Sequence, residues 1–144
     1  MRRGAPGRLL GPLALLLAAG CEDRVGQCNE LVERLNPHTR AMIRGVEGLA
    51  QIESDTAATA RLLEVIEAAD RELAGLELRD ERVAELAVRY RQQLADARTS
   101  AETMRDAAQQ GDVAALNAAA KQADAFLEGQ AAILEQLNDY CAAD

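Results

Sequence analysis

ERVAELAVRYRQQLADARTSAETMRDAAQQ (81–110), GD (111–112) and VAALNAAAKQADAFLEGQAAILEQLNDYC (113–141) form the stretch that decides the fold. Its first part repeats apolar residues at alternating spacings of three and four: Val83, Leu86/Ala87, Tyr90, Leu94, Ala97, Ala101, Met104 and Ala108. Its last part does the same with Leu116, Ala120, Ala123, Phe126/Leu127, Ile133/Leu134, Leu137 and Tyr140/Cys141. That period lays one apolar stripe along each of two amphipathic helices. Between them, Gly111 suits a left-handed helix end and Asp112 can accept an orphan N–H at the next helix start. A second apolar row, Ala119, Phe126, Ile133 and Tyr140, widens the stripe of the last helix. It suits either burial inside a bundle or a face left for a partner; burial is the expectation, because a central helix needs a wide apolar face.

Two more helical segments precede these. The first spans about 24–52, with Cys28, Leu31/Val32, Leu35, Met42/Ile43, Val46 and Leu49 in phase. The second spans about 55–74, with Leu62, Ile66, Ala69 and Leu73. Ser54 or Asp55, and Asp80, are suitable N-caps, and Gly75 stands where the second helix should end. Pro37 interrupts the first segment, but apolar spacing resumes in phase from Leu35 through Met42 to Leu49, which predicts a kink instead of a break. No period-two strand pattern occurs. The expected fold is all-α, an antiparallel up-down four-helix bundle with helix 1 kinked near Pro37. Its core is thin. Residues 21–144 hold 26 Leu, Ile, Val and Phe, and a further 26 Ala that favour helix but bury little each.

The N-terminus reads as an address. Arg2, Arg3 and Arg8 precede a short apolar run, Leu9 to Ala19. The run is about half the ~20 residues of a spanning helix, and suits a secretory signal that is removed. Leu17-Ala18-Ala19-Gly20-Cys21 resembles the lipobox of bacterial lipoproteins, in which small residues precede a cysteine that is lipidated and becomes the mature N-terminus. Ala18 departs from the commoner Leu at that place, and the Leu sits one position earlier. Ordinary cleavage after Gly20 is the alternative. The resemblance implies a signal peptide over 1–20, a lipidated N-terminus and short tether over 21–27, and a helical domain over 28–144. It also implies a bacterial envelope location, with membrane attachment through acyl chains on Cys21. Glu22 is not the Asp that retains such proteins at the inner membrane of enteric bacteria, so the outer membrane, facing the periplasm, is favoured. The chain as a whole is similar to small helical lipoproteins of high-GC, myxobacterial-type bacteria that have no assigned function.

Three cysteines leave one odd thiol in an exported chain. With Cys21 lipidated, Cys28 and Cys141 remain as a pair for an oxidising compartment. An up-down bundle brings both to the same end, and a redox couple is the weaker alternative because C-x-x-C is absent.

Charge and composition then exclude several classes. The net charge is −8, and without residues 1–20 it becomes (16 − 3) − 24 = −11. Such a chain has no basic patch for nucleic acid, and is repelled by anionic lipid. His38 is the single histidine and has no second ligand at metal spacing; pairing it with Met104 for haem has no other support. No Glu has a His three residues on, as a di-metal bundle requires. Ser54 and Ser100, the two serines, lie in no nucleophile elbow. The acids read as a solvated face with helix pairs such as Glu85 and Arg89. No catalytic, cofactor or metal residues are therefore assigned. The expected role is contact with an envelope protein partner as a structural, adaptor or accessory component. A periplasmic small-ligand carrier or sensor, with an apolar pocket between helices, is the alternative.

Overall fold

A computed structural model of the chain describes residues 18–49 and 57–143, with side chains of the first helix described from Asp23 onward. Four helices account for nearly all of them: α1 Ala18–Leu49, α2 Ala58–Ala74, α3 Glu81–Gln110 and α4 Val113–Ala142. Each packs against its chain neighbour, and α1 also meets α4, which closes an antiparallel four-helix bundle. The expected all-α bundle is the observed one. The signal peptide expected over 1–20 lies almost wholly outside the described residues, as do the suggested caps Ser54 and Asp55.

The local chemistry of the turns explains most boundaries. Asp80 caps α3, its Oδ1 accepting the N–H groups of Arg82 and Val83 at 3.0 Å each. Asp112 caps α4 by accepting the Ala115 N–H at 3.0 Å. Gly111 carries the left-handed conformation between them, with φ +68°, and its presence lets α3 stop and α4 start within two residues. Gly75 differs from expectation. It stays right-handed at φ −88°, and the end of α2 tightens through Gly75 N–H to the Glu72 carbonyl and Leu76 N–H to the Leu73 carbonyl. The chain thus leaves α2 by a narrowed last turn, which requires no left-handed residue. The N-cap of α2 is Ala57, which has no side-chain oxygen.

Helix α1 runs unbroken through Pro37. A proline at this place withdraws the N–H that would bond the Glu33 carbonyl. Glu33, Asn36 and Pro37 are all exposed, so water can take up the freed acceptor. Eight residues on, Gly45 lets α2 come close, since a Cβ there would stand 2.9 Å from Leu62 Cδ1.

The predicted stripes supply the core. Leu31, Leu35, Met42, Ile66, Val83, Leu86, Tyr90, Leu94, Met104 and Leu137 are all at most 2% exposed. On α4 the extra row is buried: Ala119, Phe126 and Ile133 face the core, with Tyr140 half-buried at the end. Ala120, expected in the stripe, is exposed. Alanine lines both sides of the α3–α4 seam (Ala97, Ala101, Ala119, Ala123), and its small side chain allows the backbones to approach closely.

The seams are unequal. Helices α3 and α4 share the most extensive packing, whereas α1 and α4 meet at far fewer places. Cys28 and Cys141 lie on that weak seam with Cα atoms 6.0 Å apart, and they are joined as a disulfide. Closing a loop of 113 residues contributes about 4–5 kcal/mol by loop entropy. Reduction should therefore remove a stabilisation of this order, read as a lower denaturation midpoint in urea with and without reductant. An unchanged midpoint would mean that the bridge adds nothing to the seam.

Candidate functional site

The densest polar constellation lies at the end of the bundle where the disulfide sits. Gln27, one residue before Cys28, is 7% exposed. Its Oε1 accepts the backbone N–H groups of Arg79 at 2.5 Å and Asp80 at 2.9 Å, and its Nε2 donates to Asp23 at 2.9 Å. A single amide therefore satisfies two backbone donors of the loop just ahead of α3. Asp80 uses its second oxygen to accept the Tyr140 hydroxyl at 2.9 Å. Arg24 stacks on the Tyr140 ring, 5.4 Å from its centroid, and donates to the Ala143 carbonyl. Together with the Cys28–Cys141 bridge, these contacts fasten the start of α1 to the start of α3 and the end of α4.

This differs from the tether expected over Glu22–Gln27. Those residues continue α1, and packing begins ahead of Cys28, at Arg24 and Gln27. Cys21 falls within α1 by its backbone, while its side chain lies outside the described residues. The signal that Gln27 belongs to the core is its spacing, four residues before Leu31 and eight before Leu35. Its polarity masks that signal.

A second polar group crosses the middle of the core. Gln130, 2% exposed, donates through Nε2 to the Tyr90 hydroxyl and lies 3.5 Å from Met42 Sδ. Tyr90 Oη is also 3.1 Å from Thr39 Oγ1. The bracket links α1, α3 and α4 at one height. Gln130 Oε1 is left without a protein donor, a cost of about 1–3 kcal/mol that an apolar residue would avoid. Such groups can fix which helices face one another. Ser100 is similarly buried, and its hydroxyl donates to Gln122 Oε1 at 2.8 Å.

His38 lies at the surface between α1 and α2, its Nε2 2.5 Å from Glu72 Oε2, with Arg34 3.5 Å from the other oxygen. The His38 hydrogen bond holds the Glu72 carboxyl below its usual range. This contribution is present above the ordinary pKa of 4.5 and is lost as pH falls through the lowered one. Met104 is elsewhere, buried with Val46 and Leu49, so the two residues weighed for haem are not brought together. The expected Glu85–Arg89 pair is replaced: Glu85 meets Arg82 at 2.7 Å, and Arg89 donates to Gln136 at 2.8 Å. A cross-helix acceptor within reach outcompetes the pair along the helix.

Among the described residues no group of three His, Cys, Asp or Glu converges as a metal site, and no helix is long and apolar enough to cross a membrane. The void inside the core, bounded by Val46, Leu62, Ala97, Met104 and Phe126, measures about 10 Å³. The larger concavities are open grooves, one of about 520 Å³ between α2 and α3 and one of about 430 Å³ between α3 and α4. No protein-family model, curated protein or solved structure matches this chain.

Both tyrosines carry a prediction. Burial pushes the Tyr90 hydroxyl above its ordinary pKa of 10.0, and the hydrogen bond to Asp80 does the same for Tyr140. Groups raised in the folded state stabilise it fully below their unfolded pKa and lose that contribution as pH rises past it. Ultraviolet titration of the folded protein should therefore place both ionisations above pH 10, against about 10 in denaturant. Stability should fall as pH climbs beyond 10. Free titration of either tyrosine at its ordinary pKa in the folded state would contradict the corresponding contact.

Proposed function

We propose that this chain is a lipid-anchored envelope lipoprotein of bacteria, whose helical bundle acts by protein contacts as a structural, adaptor or accessory component. The observation that carries the reading is Leu17-Ala18-Ala19-Gly20-Cys21, placed directly after an Arg-bearing start and a short apolar run. A disulfide between Cys28 and Cys141 supports it, because such bonds persist in oxidising compartments and the pairing leaves Cys21 as the odd cysteine. The outer membrane, with the domain facing the periplasm, is the favoured place, since Glu22 follows Cys21.

The bundle's surface supports a role by contact. Arginines and carboxylates alternate over the α2–α3 groove: Arg91 pairs with Asp70 at 2.7 Å and Arg98 with Glu67 at 3.2 Å. Exposed pairs like these contribute little to stability and can be exchanged for a partner's charges at small cost. Val88, 65% exposed, lines the same groove. The rival reading, a carrier with an apolar pocket between helices, gains less support. Its pocket would need ~300–1,000 Å³, against the 10 Å³ interior void.

The test is Cys21→Ser in the native host. The wild-type protein should sediment with membranes and incorporate a labelled fatty acid, and the variant should do neither. Retention of Cys21→Ser on membranes would mean a different anchor, and wild-type protein free of fatty acid would remove the lipoprotein reading.

A further inference from the structure

We propose that the disulfide end of the bundle is its membrane-facing surface, and that the bundle is coupled stiffly to the anchor and stands away from the bilayer. The proposal rests on the lipidation of Cys21. Three observations lead to it. Helix α1 is continuous over 21–49, the part that remains once residues 1–20 are removed, so the backbone at Cys21 belongs to the same helix as the core residues Leu31 and Met42. From Cys21 to Gln27 the helix rises only about 9 Å at 1.5 Å per residue. Within that rise Arg24 is held by Tyr140 and Ala143, and Gln27 is held by the loop before α3. The bridge at Cys28 follows at once.

The slack that a tether needs is therefore missing. A flexible linker lets a domain sample a range of heights and angles. Here Arg24 and Gln27, within two turns of the acylated position, are held to the end of α4 and to the loop before α3. The surface nearest the lipid is then made of the α2–α3 turn (Gly75–Asp80), the start of α1 and the end of α4. It carries Arg24 and Arg79 beside Asp23, Glu77 and Asp80, so the arginines offset the acids there only in part. At the opposite end, α3 carries the Gly111–Asp112 turn about 45 Å away along its 30 residues. Val113, 61% exposed, marks that far end.

The experiment uses the protein lipidated in its host, purified with its acyl chains and reconstituted into zwitterionic phosphatidylcholine vesicles with a headgroup-labelled acceptor lipid. A fluorescent amino acid is placed at Glu77 in one sample and at Val113 in another. Strong energy transfer from position 77 and weak transfer from position 113 is the expected result. A flexible Gly/Ser segment inserted between Glu22 and Asp23 should bring the two signals together while leaving the protein on the vesicles. Equal transfer from both positions of the acylated, uninserted protein would overturn the stiff coupling and leave the lipoprotein reading standing. A protein that carries no acyl chain would overturn both. A two-position difference that survives the insertion would overturn the role of the Arg24 and Gln27 contacts in setting the orientation.

Discussion

The weak seam between α1 and α4 is the constraint on which the other features depend. A four-helix bundle built in chain order gets three of its seams from short turns, and the fourth must form between the two ends of the chain. Here that seam is the least extensive of the four. The Cys28–Cys141 bridge closes it covalently, and Arg24 reaches across the same ends to Tyr140 and Ala143. Gln27 and Asp80 then tie the turn before α3 into the same junction. Between α3 and α4, Ala97, Ala101, Ala119 and Ala123 leave room for larger neighbours such as Phe126 and Met104.

The distribution of polar groups follows from this arrangement. Acids and arginines occupy the outer surface, where they pair across the α1–α2 and α2–α3 grooves at little energetic consequence. Among the described residues, the polar side chains placed inside are uncharged amides and hydroxyls: Gln27, Thr59, Ser100 and Gln130. An amide can be buried at moderate cost if its N–H and C=O find partners, whereas a buried unpaired charge costs far more. Gln27 meets that condition through both of its ends. Gln130 meets it through one only, and it does so at the height where Met42, Tyr90 and Thr39 converge, so it ties α4 to α1 and α3 where the core is otherwise smooth hydrocarbon.

The elements were largely legible in the residues. The limits of α3 came from Asp80 and Gly111, and the start of α4 from Asp112, because capping is chemistry of adjacent backbone groups. The stripes named most of the core for the same reason, since helical period is local. Misreadings fell where a distant group intervened. Gly75 needed no left-handed turn, because the α2 end tightened to fit the path of the following loop. Arg89 turned from Glu85 to Gln136 on a neighbouring helix. Of the two alanines expected in the core near the start of α4, Ala119 is buried as its row implied and Ala120 is exposed, which depends on how α4 rolls against α3.

Residues 22–27 mark the boundary most clearly. As sequence they are polar and follow a cysteine, and nothing local distinguishes a tether from the first turns of a helix. Packing decided it, because the donors that Gln27 satisfies belong to residues 79 and 80 and the ring that Arg24 covers belongs to residue 140. Among the described residues, the helical stretches, the lack of strands and the caps Asp80, Gly111 and Asp112 could be read from the chain alone, since each depends on residues within a few places of one another. The fastening of α1 to both other ends, and the buried bracket of Tyr90 and Gln130, depend on groups brought together across 40 or more positions, and tertiary packing alone sets such distances.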